Sequence, residues 1–457
     1  MTDNRFYHAL KVVNDVCIGC THCMNVCPTS AIRVEGGKAV INKNACVDCG
    51  MCLKSCPESA IVVEQDDFNR IFKYKYRVAL LPTVLIGQFP DEITEDQIFA
   101  AMYEMGFTHV FEVDQAVDYL VKATKEYMQH EHQVKPFISP FCPAIVRLIQ
   151  VKFPGLIDNI VRLKPVLDIS ALYVRKKFEN EGINPEDAGY FYVTQCASKI
   201  ASIKSPVGDY DVHVDGVINM DFIYNKILLL INQNKIESDK NKKVSNLKAK
   251  NIHWTLTNGE ASQFEGRCLA IDEIHNVTDV LEKLETDEIT DVDYLELRAC
   301  DHSCAGGVLA ANNRFLTIER LRKRAKYVRE NNEENNEDVI ADDFFNYDEY
   351  LKDNIGLGKI EPRSIMKLDE DMMEALKKIE KVQRIMEVLP SIDCGACGSP
   401  TCRQLAEDVV QSKAKLNQCV FIQKLMTKEG MLSPEESFEI SEDTWGKGRF
   451  DKKHDNH

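Results

Sequence analysis

Three apolar runs in this chain stop abruptly at a small-residue turn that carries cysteine: "VKPFISPFCP" (134–143), "AGYFYVTQCASK" (188–199) and "VDYLELRACDHSCAGG" (292–307). Each reads as a strand ending in a functional loop, the way open α/β sheets present ligands beyond their strand ends. "AIRVEGGKAVIN" (31–42) predicts two short strands turning at Gly36-Gly37. Helical spacing dominates later. "DEDMMEALKKIEKVQRIMEVL" (369–389) places Met372, Leu376, Ile379, Val382, Ile385 and Met386 on one face, which predicts a packed helix, and "RQLAEDVVQSKAKLN" (403–417) has helical composition. Between the two regimes, "ENNEENNEDVIADDFFNYDEY" (330–350) is acidic and low in complexity and reads as a solvated hinge with a few docking aromatics.

At 457 residues several domains are expected, and small metal-held ones are admissible among them. The net charge of −16, without a basic run, argues against a nucleic-acid partner. The start lacks an export-signal pattern, and no eighteen-residue apolar window follows, so a cytoplasmic protein without membrane insertion is expected. In a reducing compartment seventeen cysteines are thiols for metal or redox work, not a disulfide framework.

Their grouping carries the chemistry. Cys17, Cys20, Cys23 and Cys27 in "CIGCTHCMNVCP" and Cys46, Cys49, Cys52 and Cys56 in "CVDCGMCLKSCP" share one spacing, offset by 29 residues. This duplication resembles the bacterial two-cluster ferredoxins over about residues 10–64. The resemblance implies that one [4Fe-4S] cluster takes Cys17, Cys20, Cys23 and Cys56, and the other Cys46, Cys49, Cys52 and Cys27, with Pro28 and Pro57 closing each motif. Cys394, Cys397, Cys402 and Cys419 form a second kind of array, similar to the small four-cysteine [4Fe-4S] domain of membrane ferredoxin oxidoreductases and corrinoid iron–sulfur proteins. Zinc is the alternative occupant, and the spacing excludes it less firmly in this array than in the N-terminal motifs.

Four of the five remaining cysteines, Cys142, Cys196, Cys300 and Cys304, lie in the three strand-end blocks. Order and spacing resemble the cluster-binding motifs of the [FeFe]-hydrogenase large subunit over about residues 75–325, with "SPFCP" and "NRFLTIERLRKRA" closest to its sensory branch. The resemblance implies that these four hold a [4Fe-4S] cluster, and that Cys304 would bridge to a two-iron centre bearing carbonyl and cyanide. Lys199 would contact that centre, and Pro82, Glu296 and "VDGVI" (214–218) are further matches.

The departures are equally specific. Phe141 stands where catalytic members carry a proton-relaying thiol; Thr194 and Arg298 replace flanking methionines; and Asp301-His302-Ser303 replaces a glycine-rich spacer, which is expected to put polar bulk into the pocket. Alternatives at this stage are core thiols for the central four, a surface position for Lys199, and Cys–His catalysis using His302 or His132, which nothing orients. Cys268 matches no block and reads as a core or surface thiol.

The expected fold is multidomain α/β. It comprises a 2[4Fe-4S] ferredoxin domain (1–64), a two-lobed hydrogenase-like core (65–330), an acidic linker (331–366), a mainly helical cluster domain (367–425) and a polar tail (426–457). Four [4Fe-4S] clusters and no two-iron unit are expected, in a protein for electron transfer and redox or hydrogen sensing with a redox or signalling protein as partner. The competing reading is a working hydrogenase with an altered proton path.

Overall fold

The computed structural model describes residues 7–129, 134–209, 211, 213–233, 236, 247–332, 342–363 and 372–450. They divide into two compact units. One joins residues 1–46 and 50–63 to 363–457; the other comprises 47–49 and 64–362. His132, one of the imidazoles considered above, lies outside the described residues.

In the first unit the N-terminal segment forms β1 (Leu10–Val12), α1 (His22–Asn25), β2 (Ile32–Glu35), β3 (Lys38–Ile41), α2 (Met51–Ser55) and β4 (Ile61–Val63). β1 pairs antiparallel with β4, and β2 with β3 through the Gly36-Gly37 turn, where both residues have positive φ. That backbone is what a two-residue hairpin loop requires and what glycine adopts without strain.

The second unit is built on parallel sheets. β5 (Tyr76–Leu81), β6 (His109–Glu112), β7 (Phe137–Ile138), β8 (Ala188–Thr194), β9 (Gly216–Asn219), β10 (Cys268–Asp272) and β11 (Tyr294–Arg298) form a four-stranded sheet of order β6-β5-β8-β9 and a three-stranded sheet of order β10-β11-β7. Every residue of β8 and β11 is buried, as expected of parallel strands covered on both faces. Helices α3 (Pro143–Lys152), α4 (Val166–Asn180), α5 (Ala197–Lys204) and α6 (Arg314–Asn332) accompany them. The carboxyl ends of β7, β8 and β11 lead directly to Cys142, Cys196 and Cys300, so strand direction alone delivers three of the central thiols to loop positions.

The C-terminal part of the first unit is helical: α7 (Met372–Val388), α8 (Cys402–Val410), α9 (Val420–Lys428) and α10 (Pro434–Trp445). Three expectations change here. Residues 342–362 of the expected linker pack on the core: Phe344 stacks on Tyr173 at 4.1 Å, Leu351 and Ile355 are buried, and the Ile355 carbonyl accepts from the Lys164 N–H at 2.8 Å. A few aromatic and aliphatic anchors outweigh the acidic composition; residues 333–341 and 364–366 of the linker lie outside the described residues, as do residues 367–371 of the expected cluster domain. The expected polar tail forms α10, started by a Ser433/Glu436 capping box. Only part of α7 packs as expected. Val382 is buried, whereas Leu376 and Ile379 are exposed.

Candidate metal centres

The two N-terminal motifs interlock. Burial pushes the Cys23 thiol up to about 11, and the neighbouring Cys17, Cys20 and Cys56 add to the rise. Cys52 is raised by burial and then by Cys46, Cys27 and Cys23. The last cysteine of each motif thus sits among the thiols of the other. Backbone N–H groups point at sulfur: Ala39 at Cys17 (3.3 Å), Ala31 at Cys27 (3.2 Å) and Ala60 at Cys56 (3.2 Å). Such donors stabilise thiolate charge. The Val47–Cys49 turn groups with the second unit, where Asp48 accepts from Arg147 Nη1 at 2.6 Å with both side chains inaccessible.

At the other end of the chain, Cys402 and Cys419 are buried in an apolar cluster with Val382, Leu389 and Leu405. Cys397 borders that cluster, its thiol raised by burial and by the neighbouring Cys419 and Cys394. Thr401 caps α8 by accepting from the Gln404 N–H at 3.1 Å, while the Asp393 carboxylate accepts from Cys402 N at 2.6 Å, which fixes the loop around Gly395 and Gly398.

In the core, the thiols of Cys142, Cys196 and Cys304 converge. Burial raises Cys142, with Cys196 adding; burial pushes Cys304 up to about 11, against the pull of Lys199 and Arg298. The Thr194 hydroxyl accepts from Cys196 N at 3.2 Å, and Ser198 Oγ lies 3.0 Å from Cys196 Sγ. Cys300 begins the turn after β11, where its carbonyl accepts from Glu273 N and Ser303 N.

Lys199 is buried, not on the surface, and its ammonium lies 4.4 Å over the Phe141 ring and 3.3 Å from the Tyr192 hydroxyl. Burial lowers its pKa, but Tyr192, Cys304 and Cys196 outweigh this and hold it above the usual lysine range. Arg298 covers the same ring at 3.9 Å and donates through Nη2 to Glu260 at 2.6 Å. Its Nε and Nη1 are buried without a hydrogen-bond partner. Ser139 Oγ and Tyr294 Oη also donate to Glu260, at 2.8 and 2.7 Å. Glu296 accepts the N–H groups of Asn258, Glu260 and Ala261, and so shapes the loop that carries Glu260. Beside this group a cavity of about 90 Å³ is lined by Pro140, Phe141, Pro143, Leu167, Asp168 and Lys199.

Sequence reasoning missed Glu260, Ser139 and Tyr294. "TNGEASQ" reads as an ordinary polar loop, and no spacing links Glu260 to Arg298, 38 residues away. It also misjudged the spacer. Asp301 and His302 are part-exposed, with Asp301 paired to Arg314 at 2.7 Å; only Ser303 is buried, so the polar bulk that enters is Arg298. The positive φ of both His302 and Ser303 turns the chain outward at this point. Pro82 ends β5 and accepts from Leu85 N at 2.9 Å, starting a helical turn. Cys268 is half-buried on β10, facing the carbonyls of Phe264 and Glu265.

Buried thiols with raised pKa hold no negative charge unless a cation compensates them, and a thiolate-rich set with inward N–H donors fits an iron–sulfur cluster. The class is that of an iron–sulfur protein. Residues 78–241 match the family model "Iron only hydrogenase large subunit, C-terminal domain", residues 9–57 the "4Fe-4S dicluster domain" and residues 389–421 the "Putative Fe-S cluster". Residues 78–241 thus resemble the C-terminal domain of the iron-only hydrogenase large subunit, with a dicluster-type segment before them and a segment similar to an iron–sulfur cluster domain near the end of the chain. Among solved structures, the chain is similar to an [FeFe]-hydrogenase from work on stepwise H-cluster assembly. Identity is 13%, with 66% of this chain and 97% of that one covered, at a TM-score of 0.46. A variant of an [FeFe]-hydrogenase from Chlamydomonas reinhardtii shows 14% identity over 66% of this chain and 96% of that one, also at a TM-score of 0.46. No curated protein matches.

Proposed function

We propose that this chain is a cytoplasmic hydrogenase-like iron–sulfur protein that transfers electrons and senses redox state or hydrogen, with weak or no turnover of H₂. Sixteen of its seventeen cysteines hold four [4Fe-4S] clusters: two in the crossed N-terminal motifs, one on Cys142, Cys196, Cys300 and Cys304, and one on Cys394, Cys397, Cys402 and Cys419. When bound, such clusters accept and release single electrons. Lys199 and Arg298 add two buried cations beside Cys304, which favours the electron-rich state of whatever that thiolate binds.

The observation that carries this reading is the Arg298–Glu260 pair lodged against Phe141. A guanidinium anchored by a buried carboxylate takes the place of an apolar thioether, and a phenyl ring cannot carry a proton. General acid–base relays contribute about 10²–10⁴-fold to rate, so a pocket without one turns over slowly even if loaded. These residues do not suit a two-iron carbonyl/cyanide unit.

The test is to mature the protein beside the hydrogenase assembly enzymes, record infrared bands of iron-bound carbonyl and cyanide, and assay H₂ oxidation before and after Phe141→Cys. Weak or absent bands and little rescue are expected. In parallel, Arg298→Met and Lys199→Met should each lower the midpoint potential of the central cluster. Strong bands with ready turnover in the unmodified protein would overturn the reading in favour of a working hydrogenase.

A further inference from the structure

The cavity beside Phe141 holds a carboxyl group that has no hydrogen-bond partner among the described residues. Asp168 stands in the first turn of α4, whose N-cap is Pro165, and its side chain lines the cavity. No backbone N–H, hydroxyl or cation donates to it; Lys164, Asp209 and Lys199 act on it through their charge alone. Burial outweighs the two lysines and pushes this carboxyl up to about 7. The wall around it is apolar, formed by Val166, Leu167, Ile203, Val207, Val214 and Ile360. A polar group kept in such a place without a partner is costly, and a bound donor would remove that cost.

The cations around this cavity are already matched. Lys164 Nζ lies 2.7 Å from Asp209 and 3.1 Å from His213 Nε2, and Arg147 is paired with Asp48 at 2.6 Å. Lys199 is held by Tyr192, Cys304 and Cys196. His213 is neutral, because burial, Lys164 and Arg175 lower its pKa against the opposing pull of Asp209 and Asp211. Two lining carboxyls are left over: Asp168 inside, and Asp211, exposed and without an ion-pair partner among the described residues. The unmatched charge of the lining is therefore negative. Size narrows the occupant further. An apolar cavity of about 150 Å³ takes a six-carbon ring, so about 90 Å³ takes roughly four non-hydrogen atoms.

We propose that this cavity is a binding site for a small primary amine, whose ammonium group donates to Asp168 while its short aliphatic chain lies against Val166, Leu167 and Ile203. Three features select that class. The unfilled carboxyl calls for a donor, the leftover negative charge favours a cation over an anion, and the small apolar wall excludes a long or polar body. An ammonium beside a carboxyl favours its ionised form, so binding releases the proton that burial retains on Asp168. Phe141 and Lys199 wall the same space, and Phe141 immediately precedes Cys142. An occupant therefore lies beside the central cysteines, but the inference does not depend on what they hold.

The test is isothermal titration of the full chain, reconstituted anaerobically, with n-propylamine, and with propionate and 1-propanol as anionic and neutral probes of similar size. Saturable binding of propylamine is expected at pH 8, with both other probes at least about tenfold weaker, the difference a hydrogen bond between charged groups makes. Asp168→Asn keeps the shape of the side chain and should weaken propylamine by at least about tenfold. Val207→Trp, at a half-buried wall position, should block entry with Asp168 intact, and iron content should be unchanged in both variants. The charged and titratable groups that surround Asp168 are Lys164, Lys199, Arg147, Asp209, Asp211 and His213. Wild-type affinity should rise from pH 6 to 8 as Asp168 ionises, and should stay level in Asp168→Asn. Equal affinity of wild type and Asp168→Asn, tighter binding of propionate, or no saturable binding at all, which would leave the cavity to water, would each overturn the inference.

Discussion

Arg298 Nη2 and a carboxylate oxygen of Glu260 lie 2.6 Å apart with both side chains almost wholly shielded from solvent. Two charges in such a place are retained only if each satisfies the other, and the pair sits where the hydrogenase resemblance implies an apolar thioether. Its partners explain why it is stable there. Ser139 and Tyr294 supply further donors to Glu260, while the flat guanidinium spreads over the Phe141 ring.

Removing one partner should therefore cost far more than removing both. Arg298→Met leaves a buried carboxylate with only neutral donors and is expected to lower unfolding free energy by about 3–5 kcal/mol. The Arg298→Met/Glu260→Gln double variant should recover most of that loss. Denaturant unfolding of the four proteins of the cycle gives the coupling energy directly. Additive single-variant effects would show that the pair is not an energetic unit.

The crossed N-terminal motifs make a topological prediction. Cys27 neighbours Cys52 of the second motif, and Cys56 neighbours Cys23 of the first. Cys27→Ser should perturb the electron paramagnetic resonance signal of the centre held by the second motif, and Cys56→Ser that of the first. Loss confined to the cysteine's own motif would contradict the interlocked arrangement.

Asp114 should impose a pH dependence on stability. It is fully buried, and burial pushes its carboxyl up to about 6, only partly countered by the Thr83 N–H at 2.6 Å and by Lys199, with Glu112 adding to the rise. The native state then binds a proton that the unfolded chain has released. The associated stability is complete below the ordinary aspartate range near pH 4 and is lost as pH rises through about 6. The loss is about 3 kcal/mol at most, from roughly two pKa units. Asp114→Asn keeps the Thr83 bond and should flatten this segment of the profile, measured as denaturant midpoint from pH 4 to 7. An unchanged profile would remove Asp114 as its source.

Local chemistry was legible in the sequence wherever covalent spacing limits what a backbone can do. Four thiols within eleven residues, repeated after 29, leave few uses besides a cluster, and an apolar run ending at Cys142, Cys196 or Cys300 places a thiol at the end of a parallel strand whatever surrounds it. Phe141 and Arg298 could likewise be recognised as misfits. What became of those misfits was decided only by tertiary structure. Glu260 arrives from a polar loop held by Glu296, so the charge introduced at Arg298 is neutralised instead of left as bulk. The same holds at the chain's end, where α10 and the Gly36-Gly37 turn meet more than 400 residues apart in sequence. Spacing fixes which groups are near neighbours along the chain, but burial, ion pairing and docking depend on which distant loops share one volume. That is settled by packing of the sheets and helices as wholes.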